Sequence, residues 1–169
     1  MKLRTLAFSI CLVTLLGLTL PMITSAEQQA PTGIDGHDKV IREMTSAKSL
    51  YMLKCSGCHR VDGTGAPEAG IPPFPGFIAP LARNPDGRVY ISHVPGIMGS
   101  RLSNEQLADV LNYVIDEWAG EDASGTPRFT VEELAALREI PVTNIVEYRR
   151  DIVNQLIESG DPVADYPWP

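Results

Sequence analysis

Cys55-Ser56-Gly57-Cys58-His59 is the stretch of this sequence on which the other inferences depend. Two cysteines separated by two residues, and followed at once by a histidine, have the spacing that attaches a c-type haem. Each thiol can form a thioether with one vinyl group of the haem, and the adjacent imidazole can then reach the iron as its proximal ligand. The motif therefore predicts covalently bound haem c, held by Cys55, Cys58 and His59.

Three other interpretations of this motif fit less well. A redox-active dithiol is expected in a thioredoxin-like βαβ context, to which the histidine adds nothing. A structural zinc site needs four ligands, but the remaining cysteine is Cys11 and the remaining histidines are His37 and His93. A disulfide between residues this close would close too small a loop to stabilise the fold much. Haem attachment is the interpretation that uses all three residues of the motif.

The first 26 residues have the pattern of a secretory signal peptide. Lys2 and Arg4 form a positive n-region, residues 6–20 are almost entirely apolar, and Thr24-Ser25-Ala26 supplies small residues for cleavage. An uncleaved membrane anchor is the less favoured alternative, because the apolar stretch is near the lower limit of ~17 residues for a span. Pro21 also interrupts it.

Export agrees with the haem motif, because thioether formation with haem belongs to compartments outside the bacterial cytoplasm. After cleavage, Cys11 is removed with the signal, and the two remaining cysteines both lie in the motif. We therefore expect a periplasmic protein that has no membrane association once the signal is cleaved.

The charge of the chain limits its partners. The formal net charge is −7, and the signal peptide contributes two basic residues and no acidic ones. Residues 36–119 hold nine acidic and eight basic side chains, whereas residues 120–169 hold ten and four. An acidic protein is repelled by nucleic acid and steered toward basic protein patches. We therefore expect no nucleic-acid binding, and protein partners with basic docking patches.

Apolar periodicity predicts helices on both sides of the motif. Residues 38–54 carry apolar side chains at helical spacing, with a break near Thr45-Ser46. A shorter helix is predicted over residues 86–94. Ser103 and Gln106 predict a capping box for a longer helix that ends at Gly120. Its apolar stripe is expected to pack against the helix before the motif and consists of Leu107, Val110, Leu111, Val114, Ile115 and Trp118.

The segment that follows the motif is predicted to be irregular. Asp62-Gly63-Thr64-Gly65 indicates a tight turn, and residues 70–77 include three prolines, too many for a helix interior or a central strand. A rigid apolar loop of this kind suits one wall of a haem crevice. A backbone carbonyl in it could accept a hydrogen bond from Nδ1 of His59 and orient the ring.

The chain after residue 120 is predicted to form an acidic helical extension. Thr130 and Glu133 indicate a capping box for a helix over residues 131–138, and a second amphipathic helix covers residues 143–159 before Gly160. These helices either wrap the haem domain or form a docking arm for a redox partner, and the two roles are compatible. The predicted domains are a signal peptide (1–26), a flexible lead-in (27–36), a haem domain (37–120) and the acidic extension (121–169).

The order of these features resembles the small class I bacterial cytochromes c, which carry one haem on a CxxCH motif. The likeness covers residues 36 to about 119. It is carried by Ala47-Lys48-Ser49-Leu50-Tyr51, the motif at 55–59, the turn at 62–65, Met98 and residues 102–113. The resemblance implies an all-α fold, covalent haem and shuttling of single electrons between larger redox proteins. It also implies that Cys55 and Cys58 are the thioether sites, with His59 and a downstream methionine as iron ligands.

The identity of the distal ligand stays open at this point. Met98 stands closer to Leu102 than the family methionine usually does, and His93 stands further away. We predict Met98, with His93 as the alternative and an open position as the third option. The choice matters because ligation by histidine and methionine raises the reduction potential, whereas an open position would permit binding of gases or peroxide chemistry.

These features predict a periplasmic electron carrier that is not itself an enzyme, since no acid–base pair, activated nucleophile or phosphate-binding loop is evident. One alternative is a haem-bearing subunit docked on a periplasmic dehydrogenase. Another is a haem sensor or peroxidase-like protein with an open distal position.

Overall fold

A computed structural model describes residues 46–168 of the chain. The predicted signal peptide with Cys11, the lead-in, His37 and the first part of the predicted helix (38–45) lie outside the described residues. Within residues 46–168 the regular structure is helical, and β pairing is limited to one isolated bridge between Ala66 and Ile71. The prediction of an all-α fold is confirmed.

The helices follow one another through short connections. They are α1 (Ala47–Lys54), α2 (Ser56–His59), α3 (Ile78–Arg83), α4 (Pro85–His93), α5 (Pro95–Met98), α6 (Asn104–Trp118), α7 (Val131–Arg138) and α8 (Ile145–Ser159). Two 3₁₀ turns occupy Pro67–Ala69 and Gly120–Gly125. No helix in the described part of the chain is long and apolar enough to cross a membrane.

Side-chain caps set where α1 and α6 begin. The Ser46 hydroxyl accepts a hydrogen bond from the Ser49 amide at 3.5 Å, so α1 starts at the predicted break. Ser103 and Gln106 form the predicted capping box of α6, in which each side chain accepts a hydrogen bond from the backbone amide of the other residue. These caps satisfy amide groups that a helix leaves without intrahelical partners.

An aromatic cluster joins α1 to α6 beneath the motif. Tyr51 is fully buried, and its ring centre lies 4.9 Å from that of Trp118, 5.7 Å from that of Tyr113 and 6.4 Å from that of Phe74. Its hydroxyl donates a hydrogen bond of 2.6 Å to the carbonyl of Arg60, directly after the motif. The predicted pairing of α1 with α6 is therefore confirmed, and it anchors both ends of the motif.

Two helical segments were not predicted, and prolines explain both. α3 directly follows the proline-rich loop and carries Pro80 in its first turn, while α5 begins with Pro95 at a position where we expected α4 to end in a loop. Proline is tolerated in the first turn of a helix because the amide it lacks would have no intrahelical partner there. It was wrong to read Pro95 only as the end of the preceding helix.

The acidic extension packs on the haem domain through α4, which contacts both α7 and α8. Thr130 caps α7 as predicted, accepting a hydrogen bond from the Glu133 amide at 3.2 Å. The Glu133 carboxylate binds Arg88 of α4, so the predicted reciprocal bond to Thr130 is replaced by a contact between distant parts of the chain. Ile152 and Leu156 of α8 are buried in the same core as α1 and α6.

Candidate functional site

The motif forms one helical turn that brings its three chemical groups together. The Cys55 amide donates to the Tyr51 carbonyl at 2.8 Å, which continues α1 directly into the motif. The amides of Cys58 and His59 both donate to the Cys55 carbonyl, at 3.1 and 2.9 Å. Both cysteines are free thiols, with Cys55 half-buried and Cys58 exposed. Cys55, Cys58 and His59 therefore lie on one helical turn that directly follows α1.

A cavity of about 490 Å³ opens beside this turn, and all three residues line it. This volume lies within the ~300–1,000 Å³ typical of cofactor sites. Most of the lining is apolar, and the residues come from the proline-rich loop, from α3 to α6 and from the extension. The main apolar contacts from the haem domain are Ile71, Pro72, Phe74, Phe77, Ile78, Leu81, Ile91, Val94, Ile97, Leu102, Leu107, Val110, Leu111 and Val114.

His59 is held in position mainly by stacking. Its ring lies parallel to that of Phe74, with the centres 4.2 Å apart. Burial lowers the pKa of His59, although the Pro72 carbonyl opposes this shift. Within the described part of the chain, buried Nδ1 forms no hydrogen bond of standard geometry. The contact with Pro72 is therefore weak, although Pro72 lies in the loop in which we expected an acceptor. A neutral, buried imidazole beside two thiols on an apolar cavity fits covalent haem.

Cys55 is held as a neutral thiol in the motif. Burial, and secondarily the nearby Cys58, raises the pKa of Cys55 to about 11. Among residues 46–168, no three histidine, cysteine or acidic side chains cluster in a way that could hold a metal ion. The zinc interpretation of the motif therefore gains no support.

Met98, the predicted distal ligand, is not brought to the cavity. The residue is 49% exposed and lies near Arg138 and Glu139, at the end of α7. The cavity is lined instead by Ile97, the residue before it. The position on α5 is therefore adjacent to the cavity, but the side chain is directed elsewhere.

His93, the alternative distal ligand, also lies outside the cavity lining. Its Nδ1 is 2.8 Å from the carbonyl of Val89 and 3.0 Å from the hydroxyl of Ser92, so the ring is engaged with its own helix α4. The next residue, Val94, lines the cavity. Neither candidate from the sequence reaches the cavity in this structure.

The extension supplies part of the cavity wall, which agrees with wrapping, one of the two roles considered for it from the sequence. Arg149 of α8 and Tyr166 of the terminal segment line the cavity together with Tyr90 of α4. One signal was available in the sequence: Arg149 stands within the apolar stripe of α8, where a charged residue is out of place unless it has a partner. The other lining residues from the extension are Ile145, Val146, Val153, Leu156, Pro162, Val163 and Ala164.

Comparison with known proteins agrees with this geometry. Residues 44–118 match the family model described as Cytochrome c. A cytochrome c-552 from Thermus thermophilus is 31% identical over 109 residues, which span 53% of this chain and 82% of the relative. A second cytochrome c-552 from the same species is also 31% identical over 109 residues and is covered over 73% of its length. The chain therefore belongs to the cytochrome c family, as an electron-transfer protein that carries covalently bound haem c.

Proposed function

We propose that this protein is an exported carrier of single electrons, with its haem attached through Cys55 and Cys58 and with His59 as proximal ligand. The observation that supports this assignment is that one helical turn holds two thiols and a neutral imidazole at the edge of an apolar cavity. When bound, the haem supplies the redox change, with the iron alternating between its ferric and ferrous states.

The polypeptide has two tasks in this function. Phe74 stacks on His59 and limits rotation of the ring, so that the ligand is oriented before it binds. The apolar walls exclude water, and exposure of a haem to solvent is one of the factors that set its reduction potential. The proposed role requires no proton transfer or covalent substrate chemistry, and we propose no independent catalytic activity.

The attachment sites are tested with Cys55→Ser and Cys58→Ser, produced in a host that attaches haem to exported proteins. Each variant should lose one thioether, and the double variant should lose covalent haem entirely. Haem staining after denaturing electrophoresis, together with the mass of the intact protein, measures both. Ser56→Ala, which changes only the spacer of the motif, is the matched control and should retain two thioethers. Full covalent attachment in both single variants would exclude this assignment.

For the distal position we propose Met98, which stands next to the cavity-lining Ile97 and has a long, flexible side chain that can turn inward. His93 is the alternative. Methionine ligation gives the oxidised protein a characteristic long-wavelength absorption band. The band should be present in the wild type, absent in Met98→Ala and retained in His93→Ala. Survival of the band in Met98→Ala would remove Met98 from consideration.

A second candidate function is a haem sensor or peroxidase-like protein with an open distal position. The specific observation in its favour is that neither Met98 nor His93 lines the cavity. Carbon monoxide distinguishes the two functions, because it binds rapidly to reduced haem only where the distal position is open or weakly held. Rapid binding to the wild type, together with the absence of the methionine band, would favour the second candidate.

We further propose that the protein is periplasmic and exchanges electrons with partners through basic docking patches. Support for docking to basic patches comes from the acidic side chains exposed on α8, which are Glu147, Asp151 and Glu158. Replacing all three with their amides should slow electron exchange with a basic redox protein and weaken the dependence of its rate on ionic strength.

Cell fractionation tests the periplasmic location. Size-exclusion of a native extract distinguishes a free carrier, which elutes as a small monomer, from a subunit docked on a dehydrogenase.

A further inference from the structure

Among residues 46–168, Arg149 is a buried cation with no anion beside it. Only 4% of the residue is exposed, and its one hydrogen bond goes from Nη1 to the Tyr90 hydroxyl, over 3.2 Å. The guanidinium carbon lies 4.7 Å from the ring centre of Tyr166 and 5.5 Å from that of Tyr90. Buried Nε of Arg149 has no hydrogen-bond partner among the described residues. Within residues 46–168, no carboxylate is paired with this side chain.

The other buried arginine shows what is missing at Arg149. Arg88 binds the carboxylate of Glu133 and donates to backbone carbonyls, including those of Ala82 and Pro127. A buried charge is tolerated when it is paired and its hydrogen bonds are satisfied, and it is costly otherwise. Arg149 packs against two aromatic rings and donates to one phenol. These groups carry no negative charge, so the charge of the guanidinium is not compensated. The site is therefore incomplete without an anion.

The direction in which this anion must lie follows from the cavity. Arg149, Tyr90 and Tyr166 all line the same cavity as the haem motif. Burial raises the pKa of Tyr90, although Arg149 opposes the shift, so the phenol keeps its proton. Its oxygen accepts from Arg149, and its O–H remains able to donate. The nearby acidic residues of α8, Glu147 and Asp151, are exposed and cannot serve.

We propose that Arg149, with Tyr90 beside it, binds a propionate carboxylate of the haem, so that the acidic extension contributes a charged contact to the haem site. This inference rests on the proposed function, because it requires the haem to occupy this cavity. A guanidinium presents several N–H groups in a planar arrangement that matches a carboxylate, which makes arginine better suited to this contact than lysine. The extension then takes part in setting the potential of the haem as well as covering it.

The test compares Arg149→Leu with Arg149→Lys and with Arg150→Leu, all in the haem-loaded protein. Arg150 is the neighbouring residue and is exposed. Arg150→Leu therefore removes one positive charge from the protein surface and leaves the charge at the cavity in place. Loss of Arg149 leaves an anion near the iron without its cation, which favours the ferric state. We expect the ferric-to-ferrous ratio at a given potential to rise at least tenfold in Arg149→Leu, or ~59 mV for one electron.

A second measurement observes the carboxylate itself. Redox-difference infrared spectra of protein carrying haem labelled at the propionate carbons should show a shifted carboxylate band in Arg149→Leu, an intermediate shift in Arg149→Lys and none in Arg150→Leu. Equal changes of potential in Arg149→Leu and Arg150→Leu, with no infrared shift in either, would overturn the inference. Lysine keeps the charge, so Arg149→Lys still tests the contact if the leucine variant folds poorly.

A free anion is the other source of a carboxylate for this site. If formate or acetate fills it, the potential of the wild type will depend on the concentration of that anion and the labelled haem band will not respond to Arg149. That outcome would also overturn the inference. Failure of covalent haem attachment, tested separately by the cysteine variants, would count against the proposed function itself. Failure at Arg149 in a protein with normal covalent haem counts only against this contact.

Discussion

Both carboxylate oxygens of Glu133 lie 2.5 Å from guanidinium nitrogens of Arg88, and this pair joins the first helix of the extension to the haem domain. The Arg88 side chain is 8% exposed and that of Glu133 is 31% exposed. The guanidinium carbon also lies 3.8 Å from the ring centre of Phe129, in the connection that leads to α7. The Arg88 side chain thus joins α4 both to α7 and to the segment that directly precedes α7.

Glu133→Gln tests the contribution of this pair to stability. It leaves the Arg88 charge buried without its anion, so the free energy of unfolding should fall by about 3 kcal/mol, the lower end of the range for breaking a buried pair, because Glu133 is partly exposed. Glu132→Gln, at the exposed neighbouring position, is the control and should change stability by less than about 0.5 kcal/mol. Urea unfolding measures both values, and an equal loss in the two variants would show that the pair contributes little.

Tyr51→Phe tests the buried phenol beneath the motif. The variant loses the hydrogen bond to the Arg60 carbonyl, which should cost about 1 kcal/mol at pH 7. Burial raises the pKa of Tyr51 well above that of an ordinary phenol. An unfolded tyrosine ionises near pH ~10 and the folded Tyr51 does not, so its contribution to stability is present below that pH and is lost as the pH rises further.

The same variant should therefore lose stability less steeply than the wild type above pH ~10. The difference in slope for one proton is at most about 1.4 kcal/mol per pH unit. Urea unfolding at a series of alkaline pH values measures it. Parallel pH profiles for the two proteins would mean that Tyr51 ionises as readily in the folded state as in the unfolded one.

Gly65→Ala tests the turn that follows the motif. The backbone of Gly65 has φ of +64°, and an added Cβ would lie 2.5 Å from the Ile71 carbonyl oxygen. Strain in the left-handed region adds to this clash, so we expect a loss of at least about 1–2 kcal/mol. Gly57, within the motif, has open space around it. Gly57→Ala should be neutral or slightly stabilising in thermal unfolding, and similar losses in the two variants would contradict this account of the turn.

Ending the chain after Pro141 tests whether the extension covers the haem. This change removes α8 and the terminal segment, which line the cavity and contribute Ile152 and Leu156 to the core. Greater exposure of the haem to water stabilises the ferric state, so the reduction potential should fall, and the melting temperature should fall with it. Covalent haem should remain, because the motif is intact. An extension that serves only as a docking arm predicts that neither quantity changes.

The features that the sequence determined by itself are those set by residues close together in the chain. The CxxCH spacing placed two thiols and an imidazole on one turn, and the Ser103–Gln106 box was predicted from residues three apart and is confirmed. The pairing of α1 with α6 also followed, because an apolar stripe at helical spacing has to be buried and the two strongest stripes in the haem domain are complementary. Local chemistry was sufficient for these conclusions.

Tertiary structure decided the features that depend on residues far apart in the chain. Glu133 had two possible partners, and the buried cation 45 residues away replaced the local cap as its partner. In the sequence, Arg149 is a charged residue within the apolar stripe of α8. The fold places it against Tyr90, 59 residues away, on the cavity beside the motif. A pattern of residues indicates which side of a helix is apolar. The packing of the helices decides which distant groups share a cavity.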